Sequence, residues 1–82
     1  MTTPYVYPEK DYEQYFHIAT NCLNDNEMTN AVLNLAKAFC IAQAQCMYLS
    51  DYAHQMAPWT ARRNRCLEIL RYLGEVSTIV AM

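Results

Sequence analysis

The chain has 82 residues, of which 54% are hydrophobic and 17% charged, with one glycine and a net charge of −2. Such an apolar, weakly charged composition excludes a disordered chain, and one glycine leaves little of the positive-φ turn chemistry that hairpin-rich β folds need. The small charge argues against strong nonspecific attraction to nucleic acid, and the length allows one domain, near the size where a single core barely holds a fold.

Residues 1–8, MTTPYVYP, read as an extended N-terminal arm or irregular lead-in, because neither Pro4 nor Pro8 can sit inside a helix, and Pro8 is well placed at or just before a first helical turn. The arm has neither the basic start nor the apolar stretch of a secretory signal. Tyr5 and Tyr7 stand where local structure does not bury them, and amphipathic rings on an arm make good contact residues at small entropic cost; a disordered arm is the plainer alternative.

The single helical domain, 9–82, opens with a helix over about 9–23. Glu9, Asp11 and Glu13 suit the positive end of its dipole, and Tyr12, Tyr15, Phe16, Ala19, Cys22 and Leu23 recur at helical spacing as one apolar stripe. Asn24, Asp25 and Asn26 then form a polar break in which Asp25 or Asn26 is placed to cap the next helix.

The pattern predicts a long central helix over 28–57. Met28, Val32, Leu35, Phe39, Ala42, Cys46, Leu49, Ala53 and Met56 alternate steps of four and three, an unbroken heptad seam. A second strip, Leu33, Ala36, Cys40, Ala44 and Met47, lies about 100° around the same helix, and Ile41, Tyr48 and Tyr52 point elsewhere. A helix apolar on most of its circumference is a buried one. Two other helices do not suffice to cover it, so the second strip reads as a dimer seam or a groove for a partner's amphipathic helix. Asn34, Lys37, Gln43 and Gln45 interrupt the apolar run, which argues against a membrane span.

Pro58 is expected to stop that helix and start a third over about 59–73 or longer. Cys66, Ile69, Leu70, Leu73, Val76 and Val80 form its inner stripe, and Gly74 either ends it or is tolerated within it. The expected fold is therefore all-α: a three-helix arrangement dominated by the long central helix, packed antiparallel to the C-terminal helix in a dimeric bundle.

Chemistry is thinly represented. The four cysteines lack the close pairs that announce zinc, and they fall on apolar faces where a thiol behaves as a small hydrophobe, so no metal or cofactor is expected. Cys66 is the best candidate nucleophile, since Arg62, Arg63 and Arg65 precede it, but its place on the apolar stripe raises its pKa. No phosphate loop, paired-carboxylate site or serine elbow is visible, so no enzyme activity is expected. Arg62, Arg63, Asn64 and Arg65 form the most distinctive polar patch, able to clamp a partner's carboxylates or enter a DNA groove; a solvated face is the plainer alternative. The leading expectation is a non-catalytic cytoplasmic protein-interaction module, a small chaperone, adaptor or inhibitor of the kind that phages and mobile elements encode, acting on another protein and forming a homo-oligomer. The second is a small helical DNA-binding regulator using the arginine tract.

Overall fold

The computed structural model describes residues 8–81, and the side chains of residues 8–75. Three helices follow in order: α1 (Pro8–Asn24), α2 (Met28–Tyr48) and α3 (Ala53–Ala81). The body measures 45 × 21 × 19 Å, and α2 packs against both of its neighbours.

α1 begins on Pro8 itself, at the first helical turn where its sequence context suits it. A proline at the first helical position loses only an N–H that has no partner there. Tyr12, Ala19 and Cys22 are buried along the expected stripe, with Tyr15, Phe16 and Leu23 packed against the core. The helix ends in a Schellman closure: Asn26 is left-handed at φ 61°, the Glu27 N–H donates to the Cys22 carbonyl, and the Asn26 N–H donates to the Leu23 carbonyl. Asn26 thus finishes α1. The expected cap on the next helix is not made; Glu27 holds that position without a side-chain hydrogen bond.

The central helix is shorter than its periodicity predicts. α2 ends at Tyr48, and Leu49–Tyr52 form a turn closed by the Tyr52 N–H on the Leu49 carbonyl at 2.8 Å. Ser50 and Asp51 supply ordinary turn chemistry. The heptad seam continues across this turn only in sequence, because Ala53 and Met56 belong to α3. Pro58 lies inside α3 and breaks nothing. It withdraws one N–H from the His54 carbonyl, and His54 is exposed, so water can serve that oxygen. The turn at Leu49–Tyr52 places Trp59 in a separate helix, α3, where it is buried in the core.

The buried face of α2 is also rotated from the expected seam. Ala31, Leu35, Ala38, Ala42 and Cys46 are buried, whereas Met28 and Val32 are exposed. Side-chain size favoured Val32 in the pattern; close approach of neighbouring backbones favours alanine instead. In α3, Trp59, Cys66 and Leu73 are buried, with Ile69 and Leu70 packed beside them. The side chains of Val76 and Val80 lie outside those described. Helix α3 passes through Gly74 without interruption.

Candidate interaction surface

The second strip of α2 stays outside the core. Leu33 is 54% exposed and Met47 69%, Cys40 and Ala44 are exposed, and Ala36 is half-buried. All five lie on one outer face of α2, as their spacing requires. The strip is not flat. Tyr15 of α1 rises beside Leu33, Ala36, Lys37, Cys40 and Ile41 to form an open groove, which continues along Cys40, Ile41, Ala44 and Gln45. Lys37 holds its ammonium 5.4 Å from the centre of the Tyr15 ring. Tyr15, Lys37 and Ile41 are groove residues that the sequence pattern had not grouped with the strip. Ile41 is one position from Cys40, but where α1 crosses was needed to make a groove between them. Tyr48, the last residue of α2, is 60% exposed.

The arginine tract is divided among its neighbours. The Arg62 guanidinium stacks over Trp59 at 4.4 Å and over Tyr12 at 5.7 Å, and that of Arg65 lies 4.8 Å from the Phe16 ring centre. Arg63 turns toward α2, where its Nη1 donates to the Gln43 amide oxygen at 3.3 Å, while its Nε and Nη2 reach the Asn64 side-chain oxygen. One helical turn away, the Cys46 thiol meets the Thr60 hydroxyl at 3.6 Å. These arginines chiefly tie α3 to α1 and α2.

Behind them lies the polar centre of the core. The Tyr12 hydroxyl donates to the Arg62 carbonyl at 3.1 Å and touches the Cys66 sulfur at 3.6 Å, and its ring meets Trp59 edge-on. Burial pushes the Tyr12 phenol well above its usual range, reinforced by the contact with Cys66. Burial likewise pushes the Cys66 thiol up, against the opposing pull of the Tyr12 hydrogen bond and Arg65. A thiol held protonated is a poor nucleophile. All four cysteines are free; Cys22, Cys46 and Cys66 are buried and Cys40 is exposed. Among the described residues, no three His, Cys, Asp or Glu side chains gather as metal ligands, and no helix is long and apolar enough to cross a membrane. Tyr5 and Tyr7 lie outside the described residues.

No family model matches the chain, and neither a curated protein nor a solved structure does.

Proposed function

We propose that the protein is a non-catalytic protein-interaction module whose contact surface is the outer face of α2. The observation that carries this reading is the exposure of Leu33 and Met47 at the two ends of one uncharged strip. Contiguous apolar surface on a soluble domain marks a contact site more often than it marks chance, because leaving it in water forfeits roughly 25 cal/mol per Å². The groove against Tyr15 suits a helix laid along α2. In this reading α2 and α3 pack antiparallel, the protein is a homo-oligomer that also engages another protein as chaperone, adaptor or inhibitor, and it works in the cytoplasm, where thiols stay reduced.

DNA binding through Arg62–Arg65 is the weaker reading, since three guanidinium groups already engage Trp59, Gln43 and Phe16. The test is affinity capture from the native host, followed by reconstitution of the captured chain with purified protein. A defined complex is expected, lost in Leu33→Asp and kept in Arg65→Glu. A complex indifferent to Leu33→Asp overturns the assignment of this face. Salt-sensitive binding to duplex DNA, abolished by Arg65→Glu, replaces it with the regulator reading.

A further inference from the structure

The outer face of α2 has a symmetry that its exposure alone does not require. Cys40 is its midpoint: Leu33 and Met47 lie seven positions to either side, and Ala36 and Ala44 lie four. Large apolar residues therefore end the strip in both directions and small ones fill its middle. An isologous contact needs this property, because residue i must meet j on the partner while j meets i. The geometry points to self-pairing: two copies, related by a two-fold axis at Cys40, lay α2 against α2 antiparallel, with Leu33 on the partner's Met47. This rests on the outer face of α2 being a contact surface, and it names the occupant as a second copy of the chain.

Charge supports the same register. Lys37 is the sole Asp, Glu, Lys or Arg in α2. At 1.5 Å per residue, the antiparallel register separates the two copies of Lys37 by about 9 Å along the axis, around one Debye length at physiological salt. Each Lys37 also lies over its own Tyr15, so no cation faces another across the seam. Antiparallel pairing further opposes the two helix dipoles, which a parallel pair would align.

Size sets the strength. α2 has 21 residues. The strip from Leu33 to Met47 spans 14 residue steps of it, so it is about 21 Å long and about 10 Å wide, a footprint of roughly 200 Å². A standard interface buries about 800 Å² per partner. The strip thus needs its flanking wall, Tyr15 and Ile41, and the dimer is one that dissociates on dilution.

The test is sedimentation equilibrium of the full chain across about 1 μM to 1 mM, with cross-linking to fix the register. Twice the chain mass is expected at the upper end, falling toward one chain on dilution. Ala44→Asp places a carboxylate at an exposed position, so it should stay helical by circular dichroism and sediment as a monomer. In a Cys40→Ala background, Leu33→Cys and Met47→Cys should form a disulfide dimer under mild oxidation only when the two variants are mixed. Each alone holds its cysteines about 21 Å apart in this register, beyond the roughly 7 Å that a disulfide spans. A monomer at every concentration overturns the self-pairing, and so does a dimer that survives Ala44→Asp. Equal cross-linking of either variant alone overturns the register. A monomeric protein whose complex with another chain is still lost in Leu33→Asp would leave the interaction reading standing and remove the second copy from it.

Discussion

Tyr12 and Arg62, 50 positions apart, are joined by a hydrogen bond from the phenol to the main-chain carbonyl at 3.1 Å. The Arg62 side chain returns over the Tyr12 ring at 5.7 Å, so one pair of residues connects α1 to α3 twice. Helices that each lean on α2 are thereby tied to one another as well.

Removing the hydroxyl isolates the first of these links. Tyr12→Phe keeps the ring on Trp59 and should destabilise the protein by about 1 kcal/mol, the usual net worth of an intramolecular hydrogen bond. Urea unfolding followed by circular dichroism measures it. A variant as stable as the parent would mean that this bond contributes nothing net.

Alkaline pH should destabilise the fold through the same residues. Tyr12 and Cys66 both have folded-state pKa values raised by burial, from ordinary values of 10.0 and 9.0. The folded state therefore keeps protons that the unfolded chain releases, and the stabilising effect is complete below about pH 9 and declines as pH rises beyond it. Unfolding midpoints between pH 7 and 11 should fall, and fall less steeply in Tyr12→Phe. A flat profile to pH 11 would contradict the burial of both groups.

The second link is tested by Arg62→Ala. Loss of the guanidinium from Trp59 and Tyr12 should cost about 1 kcal/mol, combining the cation–π attraction with packing of the aliphatic stem. Trp59 is the only tryptophan in the chain, so its emission reports the change directly. A red shift is expected as the ring gains water; unchanged emission would show that Arg62 does not shield it.

Gly74 offers a change in the opposite direction. It lies within α3, and a Cβ built there meets nothing within 4 Å. Gly74→Ala should stabilise by about 0.5–1 kcal/mol, since alanine loses less backbone entropy in a helix. Thermal unfolding measures it, and a lowered midpoint would mean that this part of α3 is not helical in solution.

Much of this was legible from residue spacing. The stripe of α1 repeats every three to four residues over a segment bounded by Pro8 and Asn26, so its buried members followed from periodicity. The strip Leu33–Ala36–Cys40–Ala44–Met47 was legible for the same reason, being a matter of angle around one helix. The end of α2 was not. The apolar pattern passes through Leu49 into Ala53 and Met56 without changing period, and Pro58 looks like the stronger breaker. The competing signal, Ser50 and Asp51, is weak locally, and the burial of Trp59 that accompanies the turn depends on residues far along the chain.

Composition and periodicity thus determined that the chain is helical and that α2 carries more apolar surface than two neighbours can cover. Those are properties of backbone propensity and angular position, which are local. Tertiary structure decided where α2 stops, which alanines face the core, and that the arginines pack on the chain's own aromatic rings. Each of these depends on which distant groups come within reach, and spacing along one helix does not encode that. The same packing built the groove: α1 crosses so that Tyr15 walls the strip on one side, leaving Leu33 to Met47 open along α2.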